Sequence, residues 1–476
     1  MAFASVFRGL GVIYLTLAAL AFAAALLALG MGEAAGAFLG VGSLAAFVGG
    51  AGFLIARSVH GDPGPREAVA LLLAAWATTP AIASFPFLGA PGLASWGDAY
   101  FEAMVALTTT GPGLLDVTQA PGPLLIYRAL LEWGGGFLSV TLILIILAAL
   151  SLPGPGGRRF AAVSAEQGAL FRGFGQIVRA AAIVYALATL AGFIILAGSG
   201  VPTQDALYLA LTAPATSGGL PRPEPLSDYV PAVGRLALAL AMFAGALNFA
   251  LIWQSRRDPA ARGELWRDPE TTAFIVGAAV IAVLLMSAGA GAAFAPLNAV
   301  HDAIALVSTT ARFADPEAVR ALPAILILVI TFVGGSSISM AGGVKIIRML
   351  LLFKHVWVEL RRVSHPSSVV PMTFRGRRLA QRAFVSLWIY FLGYTGALGA
   401  LILAVTLAGA DFAAAAAASV AALSNAGGVL GVTTPQALGF GDFPPAARWW
   451  LALGMALGRM EVLAFVAAFT PGLWRR

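Results

Sequence analysis

Residues 98–113 read DAYFEAMVALTTTGPG: an acidic start, nine mostly apolar positions, then three threonines and a glycine. Three further stretches share this build: DALYLALTAPATSGGLP from Asp205, DAIALVSTTARFADPE from Asp302 and DFAAAAAASVAALSNAGGVLG from Asp411. Their leading aspartates lie 107, 97 and 109 residues apart, so a unit of about 100 residues recurs four times. Each stretch is too short for a spanning helix, which needs roughly 20 apolar residues. Each ends in small hydroxyl residues, in three of the four with glycine, the mark of a half-helix that enters a membrane and returns as an extended loop. Non-helical backbone at that depth is tolerated only where it is buried in protein or lines a water-filled cavity, so four such loops around one axis would line a pore. Asp at the start suits the positive end of a half-helix, and the other end aims carbonyls inward. A cation fits that site.

Working outward, the whole chain suits such a membrane architecture. Of 476 residues, 59% are hydrophobic and 11% charged, with 55 glycines and no cysteine, and the mean hydropathy is +0.88. A soluble domain, a disulfide scaffold and cysteine chemistry are excluded. Ten apolar stretches could cross, at about 9–31, 37–56, 67–88, 123–150, 179–199, 229–254, 271–291, 319–352, 383–408 and 445–470. With the N-terminus inside, 22 of the 29 basic residues share one side, which predicts a multi-pass protein with both termini cytoplasmic. The net charge of +7 is therefore topology rather than nucleic-acid binding. The opposite side collects acidic residues, which concentrate cations at its mouth. The expected fold is all-α and polytopic: two leading helices over 1–60, then helix–pore loop–helix repeats over 61–160, 161–265, 266–375 and 376–476 around a central ion path. His60, His301, His355 and His365 are scattered, without ligand spacing, so a metal hydrolase is not expected.

Hydroxyls and glycine-freed carbonyls can replace an alkali ion's hydration shell, whereas a bare carboxylate would hold the ion too tightly to conduct. The candidate coordinating residues are Thr108, Thr109, Thr110 and Gly111; Thr216, Ser217, Gly218 and Gly219; Ser308, Thr309, Thr310 and Ala311; and Ser424, Asn425, Ala426 and Gly427. Gly334, Gly335, Ser336, Ser337, Ser339, Gly342 and Gly343 interrupt the apolar run 319–352 and disfavour regular helix there. Arg459 stands inside an apolar stretch, where a charge is costly and by default functional, or else pairs with Glu132 or Glu461. Arg128 and Glu132, one turn apart, are expected to pair with each other. Lys345 and Arg348 read as snorkelling cations.

With the four loops, GGSSISMAGGVKIIRMLLLFKHVWVELRRVSHP (Gly334–Pro366), LEWGGGFLSVTLILIILAAL from Leu131 and LGRMEVLAFVAAFTPGLWR from Leu457 carry a resemblance over nearly the whole chain. The sequence resembles the Trk/Ktr/HKT superfamily of potassium transporters, and within it the bacterial TrkH-type membrane subunit. The resemblance implies K⁺ uptake across the inner membrane through a four-loop selectivity filter. It implies an intramembrane gate at the Gly334–Gly343 loop, with Arg459 beneath the filter as a positive barrier. It also implies a homodimer seated on a cytoplasmic TrkA-like nucleotide-binding ring. Any ATP or NAD control belongs to that partner, since this chain has no dinucleotide fingerprint. Passive transport and symport with H⁺ or Na⁺ both stay open.

One residue departs from the pattern. The third filter should carry glycine where Thr310 is followed by Ala311 and Arg312. A guanidinium near the axis would repel K⁺. Either Arg312 turns outward to pair with Asp315 or Glu317, or it plugs the pore and makes a non-conducting or altered-selectivity paralogue that acts as a sensor or scaffold.

Overall fold

The computed structural model describes residues 4–57, 64–151, 174–257, 263–288, 296–365, 373–374, 377–378 and 381–460. Two leading helices, Ala4–Gly30 and Gly36–Ile55, cross at glycines. A Cβ on Gly11 would stand 2.8 Å from the Gly49 carbonyl oxygen, and one on Gly49 2.9 Å from that of Gly11. Without side chains at the crossing, the two backbones meet directly.

The rest of the chain repeats a long outer helix, a short helix and an inner helix. The outer helices are Pro65–Ala83, Phe174–Gly198, Pro269–Ala288 and Gln381–Leu407. The short helices are Trp96–Leu107, Thr203–Thr212, Pro296–Val307 and Phe412–Leu423. At about 1.5 Å per residue they reach half of a roughly 30 Å hydrocarbon layer. The inner elements differ most. Gly122–Ser151 is continuous, the second is Ala232–Ala246 followed by Phe249–Arg257, the third is Ala324–Val333 followed by Ile346–Ser364, and the fourth is Pro445–Met460. Besides helices, the described residues hold a two-residue antiparallel pairing of Thr373–Phe374 with Arg377–Arg378.

Seven described helices are long and apolar enough to cross a membrane, or eight with one bent pair counted as a span. Two of the ten expected spans take another form. The stretch 229–254 bends by 92° between Ala246 and Phe249, where Asn248 Oδ1 accepts the Ala250 N–H at 3.0 Å and starts the second half. The stretch 319–352 breaks at Gly334, with φ 71°, and becomes helical again at Ile346. The last of the ten is described as far as Met460, so Glu461 lies outside the described residues.

Burial is inverted relative to a water-soluble protein. Phe47, Leu190, Val276 and Leu403 are exposed, while Glu102, Arg128, Glu132, Glu270, Arg312 and Arg459 are buried. A hydrocarbon surround selects this arrangement, because charge is cheaper inside the bundle than against lipid.

The four leading aspartates are not equivalent. Asp98 and Asp205 lie in the first turns of their short helices, and Asp411 caps Phe412–Leu423 by accepting the Ala413 N–H at 3.0 Å. Those three meet the positive helix end as expected. Asp302 falls in the middle of Pro296–Val307, buried, because that helix begins six residues earlier.

Candidate functional site

The short helices end alike. In each, one residue then turns left-handed: Thr109 (φ 52°), Thr216 (52°), Thr309 (58°) and Asn425 (50°). The N–H of that residue donates to the carbonyl three positions back, on Ala106, Ala213, Leu306 and Ala422, at 3.0–3.1 Å. A β-branched residue with positive φ is strained, so three threonines held this way concentrate strain at one place. The shared angle fixes the register as Thr108–Gly111, Ala215–Gly218, Ser308–Ala311 and Ser424–Gly427. The second stretch therefore begins one residue before Thr216, and Gly219 falls just beyond it. Ala311 takes the glycine place of the third, at φ 52°. Arg312 corresponds to Pro112, Gly219 and Gly428, outside the four-residue stretch.

The loops close a ring. A Cβ on Gly111 would lie 2.9 Å from Gly218 Cα, one on Gly218 2.4 Å from the Thr310 carbonyl oxygen, one on Gly428 2.0 Å from that of Ala311, and one on Gly427 2.9 Å from that of Thr110. The Gly427 N–H donates to the Thr110 carbonyl at 2.6 Å. Each loop thus touches the next, in chain order, and the fourth returns to the first. All of Thr108, Thr109, Thr110, Thr216, Ser217, Ser308, Thr309, Thr310, Ser424 and Asn425 are buried around it.

Carboxylates brace two of the loops. Glu102 accepts the N–H groups of Leu114 (2.6 Å) and Leu115 (3.1 Å), and Asp302 those of Ala314 (2.6 Å) and Asp315 (3.0 Å). In both cases the spacing is 12 and 13 residues, so Asp302 is the counterpart of Glu102 and not of Asp98. Glu102 also meets Arg128 Nε at 2.6 Å, and Arg128 Nη1 meets Glu132 Oε1 at 2.8 Å, the pairing expected one turn apart. Arg128 Nη2 donates to the Gly111 carbonyl.

Arg312 does not pair with Asp315 or Glu317. Asp315 caps the short helix Pro316–Arg320, and Glu317 pairs with Arg320 at 3.1 Å. Arg312 is fully buried instead, with Nη2 donating to Thr212 Oγ1 and to the Ser217 carbonyl at 2.7 Å. It reaches across to the second loop.

The Gly334–Gly343 segment docks on the first two positions of the ring, the deep end toward which the short helices point. The Gly342 N–H donates to Thr309 Oγ1 at 2.7 Å, and a Cβ there would lie 1.9 Å from the Ser424 carbonyl oxygen. Arg459 joins the parts: Nε donates to the Thr108 carbonyl at 2.7 Å, Nη1 to the Met340 carbonyl and Nη2 to Thr109 Oγ1. Among the described residues it makes no hydrogen bond to the Glu132 carboxylate. The other edge of the segment is tied to the bend in repeat two. Ser336 and Met340 N–H groups donate to the Ala246 (3.2 Å) and Gly245 (3.0 Å) carbonyls, and the Phe249 N–H to that of Ile338 (2.9 Å). Lys345 does not snorkel. It is buried, with Nζ donating to the Ala341 carbonyl, while the Arg348 guanidinium lies 3.8 Å from the Tyr390 ring centroid.

Sequence reasoning missed Glu270, buried in the first turn of Pro269–Ala288, which accepts from Asn248 Nδ2 (3.1 Å) and from the Ser337 N–H (2.9 Å) and Oγ (3.1 Å). An acid beside proline at the start of an apolar run was the available signal, but it reads equally as a helix cap. At the acidic side, Asp116 is held below its ordinary carboxyl range by the Thr118 hydroxyl and the Thr118 and Gln119 amides. It stays ionised in the segment that follows the first loop.

The comparisons with known proteins agree with this layout. The family model TrkH, described as cation transport protein, matches residues 67–474. The chain is 29% identical over 434 residues to the Trk system potassium uptake protein TrkH of Salmonella typhimurium, covering 88% of each. It is 29% identical over 425 residues to the Trk system potassium uptake protein TrkI of Halomonas elongata, covering 87% of this chain and 85% of that one. The crystal structure of the potassium transporter TrkH from Vibrio parahaemolyticus superposes with a TM-score of 0.85 at 25% identity, over 100% of both chains. The family match covers far more than half the sequence, and the solved relative shares the fold along its whole length. The chain therefore belongs to the TrkH family of membrane-inserted cation transport proteins and is not an enzyme.

Proposed function

We propose that this chain takes up K⁺ across the bacterial inner membrane along the axis of the ring, with Thr108–Gly111, Ala215–Gly218, Ser308–Ala311 and Ser424–Gly427 supplying the ion's ligands. The single observation that carries the reading is the closed ring of four loops, each turned left-handed at the same place, three of them at a strained threonine. Backbone bent at that cost and packed with hydroxyls is pre-organised to replace a hydration shell. The names of the relatives, potassium uptake proteins, select K⁺ among cations. The Gly334–Gly343 loop with Arg459 forms the gate, since a guanidinium bonded to both the loop and Thr108 places positive charge at the deep end of the path. The relatives' designation as a Trk system supports a partner: a cytoplasmic TrkA-like ring carrying ATP or NAD, beneath a homodimer with both termini cytoplasmic.

The test is growth of a potassium-uptake-deficient bacterium at low K⁺, with Rb⁺ uptake followed for the full chain. Rescue with Rb⁺ influx is expected, and Arg459→Gln should raise basal influx. Silence of the native chain would favour the sensor or scaffold reading.

A further inference from the structure

Arg312 belongs to the third loop, yet both of its hydrogen-bond acceptors, Thr212 Oγ1 and the Ser217 carbonyl, belong to repeat two. There it stands beside a group fixed by repeat one. Glu132 Oε1 faces Arg128 Nη1 at 2.8 Å and accepts from Tyr208 Oη at 3.4 Å. Gly219 leaves room for that group, since a Cβ would lie 2.6 Å from Glu132 Oε1. Glu132 and Arg312 are both fully buried. Among the described residues, Glu132 Oε2 and Arg312 Nε and Nη1 have no hydrogen-bond partner, and the two side chains flank the same stretch, Arg312 at Ser217 and Glu132 at Gly219. Glu102 and Glu132 oppose Arg128 and Arg312, so the seam between loops one and two is neutral only with Arg312 present.

We propose that Arg312 is a positioning residue that sets ion selectivity: its charge balances Glu132, and its hydrogen bond weakens the Ser217 carbonyl as an ion ligand. The inference rests on reading the ring as a K⁺ filter. A carbonyl has two lone pairs, and one given to a guanidinium leaves the other, with less charge, for the axis. A weaker ligand field favours K⁺ over the smaller Na⁺. Without Arg312, Glu132 is unbalanced at low dielectric, the field at the second loop strengthens, and discrimination against Na⁺ falls.

The experiment is thermal unfolding of the purified full-length chain in choline buffer while K⁺ or Na⁺ is titrated, because an ion bound to the folded state raises Tm by mass action. The quantity read is the ratio of Na⁺ to K⁺ half-saturation concentrations. A role confined to packing lowers Tm without ion and leaves this ratio alone. Arg312→Gly should lower the ratio about threefold or more, and adding Glu132→Gln should bring it back to within about twofold of native. Arg312→Lys should stay near native and Arg312→Gln should follow glycine, a contrast that decides the matter even where Arg312→Gly yields no folded protein. An unchanged ratio in Arg312→Gly and Arg312→Gln, or no response to the second substitution, overturns the inference and leaves the filter reading standing. No ion-dependent shift in the native chain overturns both.

Discussion

Loops one and three face each other across the ring, as do loops two and four, and the two pairs are built differently. The odd loops carry a hydroxyl pair two residues apart, Thr108 with Thr110 at 2.8 Å and Ser308 with Thr310 at 2.7 Å, and a carboxylate brace, Glu102 or Asp302. The even loops have neither. They carry paired glycines, Gly218–Gly219 and Gly427–Gly428, and give way to their neighbours: Gly218 to the Thr310 carbonyl and Gly427 to the equivalent Thr110 carbonyl. A ring that looks fourfold in sequence is twofold in its packing. Glycine in the even loops answers a steric demand from an adjacent backbone, whereas in the odd loops the left-handed φ is the larger demand. That is why the third loop can hold Ala311.

The braces should give the largest effects. Glu102→Ala removes a backbone brace and one of the carboxylates paired with buried Arg128, and an uncompensated buried charge costs about 3–5 kcal/mol. Asp302→Ala strands two amide donors without an arginine, at about 1–3 kcal/mol. Denaturant unfolding of the two variants in detergent checks the order. Equal losses would mean that the two braces are the same device and that Arg128 adds nothing.

Next come the even-loop glycines. Gly428→Ala drives a methyl to 2.0 Å from the Ala311 carbonyl and Gly218→Ala to 2.4 Å from that of Thr310. Overpacking of this kind costs about 1–3 kcal/mol, and because backbone must move, Rb⁺ influx should fall steeply in both. Gly431→Ala, with nothing within 4 Å of its Cβ, should leave influx unchanged. Tolerance of Gly428→Ala would break the steric account of the even loops.

Much of this was legible in the sequence, and the losses have physical causes. The half-helices and their glycine-hydroxyl ends follow from length and composition, and the broken third inner helix from four glycines in an apolar run. The phase of the third repeat was misread because Asp302 looks like a helix start; only the left-handed Thr309 places it seven residues in, where Glu102 stands in repeat one. The bend at Asn248 was hidden because a single polar residue in an apolar run carries no breaker signal, and its partners, Glu270 and Ser337, are 22 and 89 residues away. Arg312 was judged against its chain neighbours Asp315 and Glu317, while its acceptors lie 95 and 100 residues back. Local pattern specifies local shape, and a ring built from four distant loops hides its cross-links from it.

The smallest expected effect tests the odd-loop account directly. Ala311 sits at φ 52°, where an L-residue gives up roughly 1–2 kcal/mol, and glycine's greater freedom in the unfolded chain returns about 0.5–1 kcal/mol of that. Ala311→Gly should therefore stabilise the protein by up to about 1 kcal/mol and leave Rb⁺ influx intact, since Gly428 already makes room for the methyl it removes. The mirror change, Gly111→Ala, should be worse than neutral, because φ is 104° and the new Cβ would stand 2.9 Å from Gly218 Cα. If Ala311→Gly instead destabilises, the Ala311 methyl is packed rather than tolerated, and loop three must be counted with the sterically set loops two and four.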